Sequence, residues 1–313
     1  MSEYLNNRQE FVFLYDISMG NPNGDPDENR PRRLPNGTFY VTDVRLKRFI
    51  RDYFKMQGQD ILVDDIEGRT TNLTGRIGAY LEKHGRAKAN GKEVVDIILE
   101  SFIDARLFGS SLAFKKQADW EVKPEPKTLT GAVQINHGLV MHPALEVTIR
   151  GTSTFGSDED RTQGTFTEYN ALRYALIGFN GVGNQYSAQK SRLTQNDYDT
   201  TLAAMWRGVR AAANTRTKVG QNPRLLVAVT YKSDSEFQFG NLSDFISISG
   251  PIEAKDYENT GSYTVNLEKL KTRLEQFAHH IQSIRFCLSP DLNLDPASQV
   301  WLSTFENLNY DGA

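Results

Sequence analysis

Three carboxylates, Asp25, Asp27 and Glu28, fall within four positions, and Arg30, Arg32 and Arg33 follow at once. Carboxylates this close can hold a magnesium ion for phosphodiester cleavage. The same residue types also bond to nearby backbone in tight turns. A second cationic group follows: Arg45, Lys47, Arg48 and Arg51. From Glu28 to Arg51, seven cations stand against two acids, in a chain of formal net charge −3. From Asp256 to the end, four cations stand against eight acids. This asymmetry suits a local polyanion site on a near-neutral body, and equally two ordinary solvated faces.

Other chemistries find less support. His84, His137, His142, His279 and His280 form no metal-ligand pattern. The single cysteine, Cys287, excludes an internal disulfide and a cysteine-rich zinc site. Phe179–Gln185 (FNGVGNQ) is glycine-rich but lacks dinucleotide and P-loop spacing. There is no G-x-S-x-G elbow. No cofactor or metal is expected. The 313 residues, 39% hydrophobic and 24% charged, are those of a soluble globular chain. No apolar run approaches the roughly 20 residues of a membrane span. The N-terminus has no signal-peptide core. A cytoplasmic protein is expected.

The elements that must position the cations can be read in order. Residues 10–17 (EFVFLYDI) predict a strand buried on both faces. The breaker-rich segment SMGNPNGDPDENRPRRLPNGT predicts a long loop. Thr42 can cap a helix whose Leu46, Phe49, Ile50, Tyr53 and Phe54 share one face. Arg45 and Arg48 flank that face on one side, Lys47 and Arg51 on the other. Residues 60–135 read as a largely helical insertion, ending in a return strand at 129–135 (LTGAVQI). Leu145–Phe155 and Thr165–Phe179 read as extended runs around a polar tip, a protruding hairpin. A helix over Gln195–Ala213 and a core strand over Leu225–Tyr231 follow. With the insertion set aside, the order is β-α-β-β-α-β, that of an α+β, ferredoxin-like or RNA-recognition-motif domain. Leu267–Phe286 carries an apolar stripe and predicts one more amphipathic helix. Phe11, Phe13 and Tyr15 share one face of the first strand. Without an RNA-recognition-motif consensus strand they fit a core better than base stacking, so backbone contacts to nucleic acid are favoured.

At FLYDISMGNPNGDPDENRPRR and VTDVRLKRFIRDYF the sequence resembles the Cas-seven family of CRISPR-associated proteins. It looks closest to the Csh-type and Csd-type backbone subunits of type I-B and I-C Cascade complexes. DARLFG at Asp104–Gly109 and LTGAVQI at 129–135 agree in order and spacing, so the resemblance covers most of residues 10–235. It implies a right-hand shape. The palm, of RNA-recognition-motif type, is 1–60 with 137–250, and a mostly helical fingers insertion is 61–136. A β-hairpin thumb is 151–169, and a helical segment at 251–313 packs on the palm. It implies several copies stacked along one CRISPR RNA, which is displayed for pairing with target DNA beside other Cascade subunits. The implied RNA contacts are Asn21, Asn23 and Gly24 of the loop, Arg45, Lys47 and Arg48 of the helix, and Gln134 and Asn136 of the return strand. In the thumb they are Thr152, Thr154, Phe155 and Phe166. The resemblance implies a non-catalytic subunit. The alternative is a metal-dependent RNA-cleaving subunit using Asp25, Asp27 and Glu28.

Overall fold

Strand β1 (Gln9–Gly20) sits at the centre of the molecule and is buried on both faces, as its apolar density requires. The computed structural model describes residues 4–66, 68–86, 91–114, 127–152 and 166–311. A long loop and the short β2 (Tyr40–Val41) lead from β1 into α1 (Asp43–Met56). Then come α2 (Leu73–Lys83), α3 (Gly91–Ser101) and α4 (Ile103–Phe108), and the ribbon of β3 (Gly109–Leu112) and β4 (Lys127–Thr130). Next are β5 (Val133–Ile135), β6 (Gly138–Val140), β7 (Glu146–Thr152) and β8 (Phe166–Gly183). Helices α5 (Gln185–Ser191) and α6 (Gln195–Ala211) precede β9 (Gln221–Tyr231). The C-terminal region holds β10 (Ser247–Ser249), β11 (Thr264–Asn266), α7 (Glu268–Gln276), β12 (Ile281–Leu288), α8 (Pro296–Leu302) and β13 (Glu306–Asn307).

The fold is a mixed α/β arrangement around one mixed sheet in the order β13-β12-β9-β1-β8-β6-β2, with β5 and β7 also paired to β8. Among the described strands of this sheet, only β12 and β13 pair in parallel. β1 lies antiparallel between β8 and β9, so that Phe13 faces Phe179 on one side and Leu226 on the other. Phe11, Phe13, Tyr15 and Ile17 point into a core shared with α1 and α6. Val12 and Leu14 point the other way, into a core shared with the C-terminal region. Both sheet faces are therefore covered. The aromatics of β1 are core residues and offer no stacking platform.

α1 buries Leu46, Phe49, Ile50 and Phe54. α6 buries Tyr198, Leu202, Met205, Trp206 and Val209, behind a capping box of Thr194 and Asp197. The two helices approach closely at Gly208, where an added Cβ would lie 2.6 Å from the Phe49 carbonyl oxygen. A third core, around Leu62, Ile77, Leu81, Val94, Ile98, Phe102 and Leu112, belongs to the helical insertion.

Two expectations are corrected. The helix expected over Leu267–Phe286 ends at Gln276, and after a tight turn at Ala278–His280 the chain becomes β12. Ile281 and Ile284 keep helical spacing, but pairing with β9 decides the conformation. The C-terminal region is thus mixed rather than helical. The return strand at 129–135 is two strands. Gly131 crosses closely against Gly109 there, β4 pairs with β3, and only β5 returns to the main sheet, where it pairs with β8.

Candidate nucleic-acid interface

The loop between β1 and α1 is held by its own amides. Asn21 donates through Nδ2 to the Asn29 carbonyl at 2.7 Å and accepts the Asn23 N–H at 3.1 Å. Asn23 Oδ1 accepts from the Thr42 N–H at 2.9 Å and from the Thr42 hydroxyl at 2.7 Å. Thr42 in turn caps α1 by accepting the Arg45 N–H at 3.3 Å. Both asparagines are buried, and these bonds fix the entry angle of the helix. Gly24 pairs with Pro31 across the loop.

Asp25 accepts N–H bonds from Asp27 at 2.9 Å, Glu28 at 2.7 Å and Arg30 at 3.2 Å. Those backbone bonds, Glu28's foremost, hold its carboxyl below the usual range. This is turn chemistry. Among the described residues, no three or more His, Cys, Asp or Glu side chains are grouped to hold a metal.

A cleft of about 400 Å³ lies between this loop, α1 and the end of α6. Asn21, Gly24, Arg45, Asp52, Gly208, Thr215 and Lys218 are among its lining residues. Arg45 lies over the Phe49 ring at 5.7 Å and has no carboxylate partner among the described residues. The other cations of α1 are engaged. Lys47, largely buried, pairs with Asp43 at 2.8 Å. Arg48 pairs with Asp52 at 2.6 Å and lies 3.6 Å from Asp64. Arg51 pairs at 2.8 Å with Asp104, which also accepts the Leu62 and Val63 amides. Arg30 and Arg33 converge on Glu146, at 2.8 and 3.1 Å, near the base of the β7–β8 hairpin.

The segment after α6, 214–220 (NTRTKVG), completes the cleft and escaped the sequence reading. Lys218 donates to the carbonyls of Asn21 and Pro22, 197 and 196 residues away in sequence. Burial, and then the nearby Arg45 charge, lower its pKa to about 7. Arg216 lies 4.4 Å over the Tyr169 ring, and the Tyr169 hydroxyl donates to the Met19 carbonyl at 3.2 Å. The available signal was a short polar, cationic turn between a helix and a core strand.

The remaining residues of interest lie elsewhere. Val133 and Ile135 enter the core under α1 and α6, so Gln134 and Asn136 occupy the other face of β5 and its extension. There Gln134 donates to the Gly131 carbonyl, and Asn136 bonds with Asn180 and Asn241. Thr152 and Phe166 form the last described register pair of the β7–β8 hairpin. Thr154 and Phe155 lie outside the described residues. DARLFG is a fastening. Asp104 anchors Arg51, and Arg106 grips Asp197 of the α6 cap at 2.8 and 3.0 Å. Gly109 turns with φ +74°.

Comparison with known proteins fits this geometry. The profile of the family described as CRISPR-associated protein Cas7 matches residues 7–278. CRISPR-associated protein Cas7 of Haloferax volcanii is 31% identical over 306 residues, covering 92% of this chain and 89% of that one. The chain belongs to the Cas7 family. Among solved structures, a chain of a "CRISPR RNA-guided surveillance complex, pre-nicking" is similar in fold. Its TM-score is 0.50 and its identity 13%, over 95% of this chain and 99% of that one. Among the described residues, no helix is long and apolar enough to cross a membrane.

Proposed function

We propose that this chain is a CRISPR RNA-binding backbone subunit of a type I Cascade effector, of I-B or I-C type. Several copies stack along the guide and leave its bases free to pair with target DNA. Protein holds the strand's shape and backbone while pairing reads sequence. Neighbouring copies and other Cascade subunits are its protein partners, and it works in the cytoplasm without catalytic activity. The antiparallel order β9-β1-β8-β6, with α1 and α6 on one face, supports reading residues 1–60 and 137–250 as a ferredoxin-like palm. Residues 61–136 are then the fingers and 151–169 the thumb, with 251–313 packed on the palm.

The observation that carries the reading is Arg45. It lines a cleft beside the ordered loop with no carboxylate partner among the described residues, in a member of the Cas7 family. Arg45 is the leading phosphate contact. Lys47 and Arg48, which already hold carboxylates, contribute less. Asn21, Asn23 and Gly24 shape the loop, and the thumb residues contact the strand further along.

Fluorescence anisotropy with CRISPR RNAs of unrelated spacer sequences tests this. The double variant Arg45→Glu, Arg48→Glu weakens binding equally for every spacer, and wild-type affinity falls steeply with salt. A loss confined to some spacers would falsify the backbone reading. Cleavage of labelled RNA in magnesium, abolished by Asp27→Ala, would replace it with a nuclease.

A further inference from the structure

Lys218 is 8% exposed, and its ammonium donates to two backbone carbonyls, those of Asn21 and Pro22, the latter at 3.1 Å. An ammonium has three donors. No carboxylate stands within ion-pair reach of it among the described residues. A buried cation without a counter-charge is costly, and Arg45 adds a like charge from α1. Asp52 lines the same cleft, but Arg48 holds it at 2.6 Å. Tyr53, Asn214 and Thr215 add only neutral groups. Arg216, two residues before Lys218, lies over the Tyr169 ring. The cleft therefore presents two cations whose missing partner is an anion.

Building on the RNA-binding reading, we infer that Lys218 and Arg45 clamp one phosphodiester of the bound strand. The staple that Lys218 makes to the loop sets the position of the clamp. The phosphate supplies the counter-charge that the fold omits, and it stabilises the protonated form of Lys218. Because the free lysine titrates near 7, binding above that pH takes up a proton.

The test is anisotropy and calorimetry on the full chain with labelled RNA. Wild type binds roughly three- to tenfold more weakly at pH 8.5 than at pH 6.5. Calorimetry at pH 8 in two buffers of different ionisation enthalpy shows net proton uptake. Lys218→Met loses about one unit of salt slope and its pH dependence. Lys218→Arg keeps affinity but loses the pH dependence, since arginine stays charged. A purely structural staple would move neither the salt slope nor the proton uptake. Absence of proton uptake by wild type overturns the clamp even if both variants fail to fold. So does a folded Lys218→Met with an unchanged salt slope. Failure of wild type to bind RNA at all would instead overturn the RNA-binding reading.

Discussion

On the sheet face covered by the C-terminal layer, each buried carboxylate has side-chain or backbone donors against it, although Asp16 Oδ1 accepts no hydrogen bond from the described residues. Asp16 accepts from Arg224 and from the Tyr174 hydroxyl, each at 2.7 Å. Glu10 accepts the Phe239 and Gly240 amides at 2.9 and 2.7 Å, and the Tyr231 hydroxyl. His142 stacks on Tyr257 at 4.0 Å, donates from Nδ1 to the Pro143 carbonyl and accepts the Leu176 N–H at 3.0 Å. On the face covered by α1 and α6, Arg45 and Lys218 line a cleft without a carboxylate between them, apart from an Asp52 already in use. The first layer spends its polar groups on holding a segment in place. The second leaves cations in hand, which is how a surface keeps affinity for a polyanion while its net charge stays slightly negative.

This contrast can be broken from either side. Glu10→Ala strips the partners from three donors and costs about 3 kcal/mol or more of unfolding free energy in urea. The salt dependence of RNA binding by the folded fraction stays at the wild-type value. A change in that slope would mean that the two layers are not separate in function.

The next effect is pH-dependent stability. Burial lowers the His142 pKa to about 4. The unfolded chain, with an ordinary histidine near 6.5, takes up its proton first as pH falls. Stability is therefore complete above about 6.5 and is lost progressively toward 4, by about 3 kcal/mol in all. His142→Gln, measured across the same range, flattens that part of the profile.

Gly208 belongs to both questions, since it sets the approach of α6 to α1 and also lines the cleft. Gly208→Val costs about 1–3 kcal/mol through overpacking and weakens RNA binding as well. Arg48→Ala is the gentlest change. Its exposed pair with Asp52 is worth less than about 1 kcal/mol to stability, but removing it frees a carboxylate to face the cleft. RNA affinity therefore falls more than the melting temperature suggests, and equal small effects on both would narrow the distinction between scaffold and site.

Local pattern made much of this legible. The apolar run of β1, the Thr42 cap, the apolar stripe of α1 and the breaker-rich loop each act over a few residues, so their elements lie where the sequence puts them. The same stripe logic failed at Ile281 and Ile284. Three-residue spacing there also suits a bulged strand, and β9 offered the stronger partner.

Sequence by itself determined that seven cations cluster around one loop and one helix, and it carried the family motifs. Only the tertiary structure decided which of those cations stay available. Ion pairs form between residues brought together by packing, as Arg51 is with Asp104 across 53 positions. No spacing rule could exclude Arg51 while keeping Arg45. For the same reason Lys218 was invisible until the α6–β9 turn folded against the Asn21 carbonyl. A charge is free or spent according to what the fold brings beside it.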